Sequence, residues 1–178
     1  RKFIKEGMSM CVSRGLTAIQ TNDEGSFAAY KEIAREEGLP LRIFLTPTIK
    51  EIQDKEKEED SVHLIPFLGP EHDLGDRHAS RLVAERVKIF SDGSLGAETA
   101  AIRSLPNQPL GFSADVATTE EKKEDHITGM LIHSTSSLLG QVVTALKFGW
   151  RLEIHAIGDA SAEQVLWCLE EGYCVRTW

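Results

Sequence analysis

Two short segments constrain this chain most. Val87-Lys88-Ile89-Phe90-Ser91-Asp92-Gly93-Ser94-Leu95-Gly96 and Arg151-Leu152-Glu153-Ile154-His155-Ala156-Ile157-Gly158-Asp159 each read as an apolar strand that carries a basic residue into a Gly/Asp turn. In α/β proteins the carboxyl ends of parallel strands form the functional face. A lysine and a histidine brought to that face by two strands point to a metal or proton-transfer site, not to a core.

The surrounding sequence supplies more strands and the helices between them. Phe3, Ile4, Met8 and Val12 have helical spacing, with Gly15 as the stop. Residues 16–21 read as a strand, Ser26 caps a helix that runs to Glu37, and residues 41–46 form the next strand before Pro47. A charged helix starts at Ile49 and runs to about Asp60, its mixed charges suiting a solvated face. Residues 61–80 read as irregular, and residues 86–90 as the third strand. A long segment from Ser91 to Thr128 has the look of an active-site loop. A helix over 134–148, a strand over 150–154 and a helix from Asp159 to a stop at Gly172 complete the order βαβαβαβα, all strands parallel by inference. The whole chain, 1–178, reads as one α/β domain: a small doubly wound sheet, or about half of a (β/α)8 barrel, which needs roughly 250 residues.

Composition narrows the function. The 178 residues are 41% hydrophobic and 27% charged, as in globular proteins. A net charge of −8 argues against a nucleic-acid partner, which is held mainly by lysine and arginine on phosphates. No apolar run approaches the roughly 20 residues of a membrane helix, and the start has no secretory signal. Three cysteines, Cys11, Cys168 and Cys174, have no zinc-knuckle spacing, and their odd number suits a reducing, cytoplasmic setting. The absence of an initiator Met and the abrupt end at Trp178 read as an internal piece of a longer protein.

His155 ends a strand beside a glycine that admits a ligand, and imidazole is both a metal ligand and the usual physiological acid/base. A satisfied structural histidine is the plain alternative. Lys88 shares a strand face with Phe90, opposite Val87 and Ile89. It is either a lysine snorkelling to solvent or a buried amine with altered chemistry, such as a carbamate able to bridge metals. Asp92 could orient a catalytic group or simply form the turn. The turn has neither G-x-G-x-x-G nor G-x-S-x-G, so a phosphate cradle and a serine nucleophile are both disfavoured. His63, His72, His78, His126 and His133 form no H-x-H or H-E-x-x-H pattern.

Gly15-Leu16-Thr17-Ala18, the Val87–Gly96 block, Gly129-Met130-Leu131 and Gly149 through Ala160 together resemble the amidohydrolase superfamily, in particular its YtcJ-like branch with the N-substituted formamide deformylases. The resemblance spans nearly the whole chain and is weak between Thr48 and Ser80. It implies a partial (β/α)8 TIM barrel in which the four strands stand for barrel strands 2 to 5. It also implies a divalent metal, zinc by expectation, held by Lys88 (the family's strand-4 lysine, often carbamylated) and His155 (its strand-5 histidine). Asp92 matches a position near that site and is taken as a catalytic candidate. The substrate would be a small amide-type molecule whose C–N bond is hydrolysed.

The family's H-x-H at strand 1, histidine at strand 6 and aspartate at strand 8 have no counterpart here, and the loop from Glu98 to Gly111 departs from its usual form. The chain alone is therefore expected to have little or no hydrolase activity, and its two open sheet edges give it a route to homo-oligomers. The competing reading is a non-catalytic α/β binding or scaffold domain in which Lys88 and His155 contact a small anion.

Overall fold

Alternation of apolar and polar residues forms the strands of this protein and also decides what each strand buries. A computed structural model describes residues 1–57, 81–103 and 127–176. The chain divides into two compact units, residues 1–88 with 148–151 and residues 89–147 with 152–178.

In the first unit, α1 (Lys2–Ser13) leads to β1 (Ala18–Thr21), α2 (Phe27–Glu36), β2 (Arg42–Leu45), α3 (Ile49–Lys57) and β3 (Leu82–Val83). The next strand, β4 (Arg86–Phe90), starts here and ends in the second unit. β1 and β2 pair in parallel from Ala18↔Arg42 to Thr21↔Leu45, and β3 adds to the far edge of β2 through Ile43↔Leu82 and Phe44↔Val83. Ile43 and Leu45 are buried while Arg42 and Phe44 are exposed, the period-2 pattern of a strand with one covered face. On α2 the residues Tyr30, Ile33 and Ala34 are buried, at the i, i+3, i+4 spacing of one helical stripe, and the helix lies against β3.

β1 begins two residues later than its sequence pattern suggests. Leu16 is taken up in closing α1: its N–H bonds Cys11 O at 3.1 Å while Gly15 N–H bonds Val12 O at 2.9 Å, a Schellman pair with Gly15 at φ +80. Ser26 sits at the start of α2, but its hydroxyl donates backward to Asp23 O at 2.6 Å rather than capping the helix. α1 has the expected spacing, yet only Met8 is buried, and Phe3 stands 83% exposed. The β3 strand is an addition to the four foreseen. Two residues are too few to show a period, and only the pairing with β2 defines them as a strand. The expectation of an irregular segment at 61–80, and the last residues of the charged helix, lie outside the described residues.

The second unit holds the end of β4, then β5 (Ile102–Arg103), β6 (Ile127–Thr128), α4 (Thr135–Lys147), β7 (Arg151–His155, from Leu152 on) and α5 (Asp159–Arg176). Ile89 and Phe90 with Leu152–His155 belong to a two-stranded sheet. β5 and β6 pair antiparallel, Ile102↔Thr128 and Arg103↔Ile127, which corrects the inference that every strand is parallel. This ribbon lies within the long segment read as a loop, whose middle, 104–126, is outside the described residues. Its strands are too short for their alternation to register in sequence.

Leu138, Val142, Ala145 and Leu146 form the buried stripe of α4, which packs on α5. Each large side chain of this kind contributes roughly 1.5–3 kcal/mol when fully buried. Gly172 does not stop α5, which continues to Arg176. A Cβ at Gly172 would lie 2.6 Å from Val142 Cγ1, so the glycine serves the close approach of the two helices. All three cysteines are thiols. Burial pushes the Cys168 pKa up to about 11. Among the described residues, no helix is long and apolar enough to cross a membrane.

Tyr30 provides a test of the first unit. Its hydroxyl donates to Asp23 Oδ2 at 2.8 Å; burial, and then this bond, raise its pKa well above the usual value near 10. The folded state thus favours the neutral phenol. As pH rises past about 10 the unfolded chain loses its proton first, and stability falls from there up to the folded pKa. We expect Tyr30→Phe to cost about 1–2 kcal/mol at neutral pH, with the gap to the native chain narrowing in urea melts above pH 10. A gap that stays constant with pH would contradict this assignment.

Candidate functional site

The turn after β4 is built around one carboxylate. Asp92 is 1% exposed. Its Oδ2 accepts the N–H of Ala101 at 3.1 Å and of Gly158 at 2.7 Å, and its Oδ1 accepts the N–H of Ile157 at 3.0 Å. Burial pushes this carboxyl's pKa up, but the bonds from Ile157, Gly158 and Ala101, aided by His155, outweigh burial and hold it below the ordinary value. A β-bridge joins Asp92 to Leu131, and Ile132 N–H bonds Ser91 O at 2.9 Å. The carboxylate therefore ties the end of β4 to the segment after β7 and the segment before β5, while the backbone of Ser91 and Asp92 takes up the segment after β6.

Next to this clamp lies His155, the last residue of β7, whose side chain is 25% exposed. Its Nε2 is 2.8 Å from Gly93 O and 3.7 Å from Asp92 Oδ1. Its ring is 5.4 Å from that of Phe90, tilted by 46°. A carbonyl oxygen only accepts, so Nε2 carries the proton in this bond. In the neutral ring Nδ1 then keeps its lone pair, the form in which imidazole binds a metal. Ser91 anchors the other side of the turn: its N–H and hydroxyl both donate to His155 O, and its Oγ is 2.6 Å from Ser161 Oγ.

Gly158 is required by close approach, because a Cβ there would stand 1.9 Å from Ala101 O. Ala101 O also accepts the Ala160 N–H at 3.1 Å, so residues 100–101 run flush against the start of α5. Asp159 opens that helix, accepting the Arg103 N–H at 2.9 Å. His133 lies in the same unit with Nδ1 3.3 Å from Gln141 Nε2; burial lowers its pKa, partly offset by a hydrogen bond with the Phe90 backbone.

The structure brings Asp92 and His155 together in the second unit. Lys88 belongs to the first. It is half-buried between the fully buried Val87 and Ile89, its N–H donates to Pro47 O at 2.7 Å, and it forms a parallel bridge with Thr48. The alternation expected around Lys88 is therefore present. Among the described residues, no group of three or more His, Cys, Asp and Glu side chains is placed to hold a metal ion. His63, His72, His78 and His126 fall outside the described residues. Sequence reading missed the contributors that act through their backbone: Gly93 O, Ala101 N–H and the bridge to Leu131. The run Gly129-Met130-Leu131 was the available signal, since Met130 N–H bonds Thr99 O at 3.2 Å and Leu131 pairs with Asp92.

Parallel strands alternating with helices, and a polar cluster at the strand ends, are features of an α/β enzyme domain. Residues 1–171 match the Amidohydrolase family, and the chain belongs to it. Among solved structures it is similar to an uncharacterized metal-dependent hydrolase from Pyrococcus furiosus (23% identity, TM-score 0.66), covering 96% of this chain and 31% of that one. It is also similar to an uncharacterized metal-dependent hydrolase from Pyrococcus horikoshii OT3 (26% identity, TM-score 0.66), covering 95% of this chain and 29% of that one. The chain thus spans about a third of the length of these relatives and shares their fold over that part. No curated protein matches it.

The crowding at Gly158 is open to direct test. Gly158→Ala should destabilise the protein by roughly 1–3 kcal/mol, because Ala101 O belongs to backbone and cannot swing away. Gly96→Ala, with nothing within 4 Å of the new methyl, should stay within about 0.5 kcal/mol of the native chain. Equal melting temperatures for the two variants would show that residues 100–101 do not press on Gly158.

Proposed function

We propose that this chain is the part of a metal-dependent hydrolase of C–N bonds that supplies two ligands, Lys88 and His155, to a divalent ion, zinc being the best match to nitrogen and oxygen donors. The observation that carries the reading is the His155 ring, whose Nε2–H is taken by Gly93 O so that Nδ1 is free to bind. Family membership supports it, and so do two similar structures described as metal-dependent hydrolases. The fold in this reading is a piece of a (β/α)8 barrel.

A bound divalent ion would lower the pKa of a water and polarise the scissile carbonyl. The chain's own residues prepare for this. His155 is held in its ligating form. Lys88, as the neutral amine or its carbamate, offers nitrogen or oxygen donors from β4. Asp92, taken from sequence as a catalytic candidate, has its oxygens engaged by backbone N–H groups and serves here to hold the turn. Ser91 fixes the end of β7. The substrate class is a small amide of the kind hydrolysed by the YtcJ-like branch, and the setting is cytoplasmic.

The test uses the protein that carries this chain at its natural length. Purified without chelator, it should hold stoichiometric metal by plasma mass spectrometry and hydrolyse N-substituted amides. His155→Ala and Lys88→Ala should each remove most of the metal and the activity while leaving the circular dichroism spectrum intact. Failure of the native protein to bind any divalent metal would defeat the proposal and favour a small-anion-binding domain.

A further inference from the structure

We infer that Asp92 is the positioning residue that selects the tautomer of His155, and so decides which ring nitrogen is presented as a ligand. The inference rests on the metal-binding reading above for its consequence, but not for its geometry. Two tautomers of a neutral imidazole are close in energy in water, and the ring here is 25% exposed, so something must select one. Two features do. Gly93 O receives the Nε2–H at 2.8 Å, and Asp92 Oδ1 lies 3.7 Å from the same nitrogen, its negative charge favouring a proton there.

Both features lie at or next to Asp92. The Gly93 carbonyl belongs to the turn that follows directly on Asp92, whose carboxylate grips Ala101, Ile157 and Gly158; within that turn Thr99 holds the peptides on both sides of Gly93, Thr99 O taking Gly93 N–H at 3.2 Å and Thr99 Oγ1 taking Ser94 N–H at 3.0 Å. Ile157 and Gly158 lie two and three residues beyond His155, so the same grip fixes the chain that leaves β7. Asp92 touches neither substrate nor metal in this scheme. It acts through Gly93 and His155, as the outer partners of metal-bound histidines generally do.

Long-range proton–nitrogen NMR on the metal-free full chain, at mildly alkaline pH where imidazole is neutral, reads the tautomer directly; His155→Gln assigns the signal. The native ring should appear as a single Nε2–H form with Nδ1 unprotonated. A native ring protonated on Nδ1, or an even mixture of the two forms, overturns the inference. Asp92→Asn offers one acceptor oxygen where the carboxylate uses two, and should convert the single form to a mixture. Asp92→Glu, which keeps the charge, should fall between the two. A folded Asp92→Asn that keeps the pure Nε2–H form also overturns the inference. If neither variant folds, the native spectrum decides alone.

At natural length, Asp92→Asn should weaken zinc binding by roughly 10- to 100-fold in a competition titration. A native Nε2–H form in a natural-length protein that binds no metal would refute the metal reading and leave the positioning role standing.

Discussion

A single buried carboxylate organises the site end of this protein. Asp92 is almost wholly removed from water, and an ionised group in that state costs several kcal/mol unless its lone pairs are satisfied. Three backbone N–H groups meet that need, one from Ala101 nine residues on and two from the segment just beyond β7. The relation works in both directions. The N–H groups of Ala101, Ile157 and Gly158 would themselves be unsatisfied without the carboxylate, so the loop ends and the charge stabilise each other. Hydrogen bonds to a charged partner run about 1.5–3 kcal/mol each, which makes this turn one of the stronger local structures on the chain.

The packing beneath the turn allows this precision. Residues 100–101 lie against the start of α5 because Gly158 has no side chain, and α5 lies against α4 because Gly172 has none opposite Val142. Ser91 and Ser161 join the floor of the turn to α5 through paired hydroxyls. By contrast, the ion pairs in the first unit, such as Lys5 with Glu37 at 2.8 Å, lie between half-exposed side chains and add little. Stability in each unit comes from buried apolar stripes, and geometry at the site comes from buried polar contacts.

Much of the architecture was legible in the sequence. The helices α1, α2 and α4 and the strands β1, β2, β4 and β7 follow from apolar spacing and flanking glycines, with boundaries displaced by one or two residues. Displacement occurred where a terminal turn absorbs residues that suit a strand, as Leu16 does. β3, β5 and β6 were not legible. A pair of residues has no periodicity, and each of these strands exists only through a partner that the chain brings alongside. Gly172 misled because the residue that most often ends a helix is also the one that lets two helices touch.

The site divides in the same way. Residue type and strand position pointed to Lys88, Asp92 and His155, polar groups at the ends of apolar strands where α/β folds carry their function, with a structural role the open alternative for each. Those local signals depend on side-chain chemistry and short-range spacing, which a linear sequence displays. The carboxylate's role as a clamp, the carbonyl that receives the imidazole proton and the nitrogen left open were decided only by tertiary structure. Each depends on backbone groups brought together from separate segments of the chain, and a backbone N–H or C=O is the same in nearly every residue, so the sequence carries no mark of which will meet.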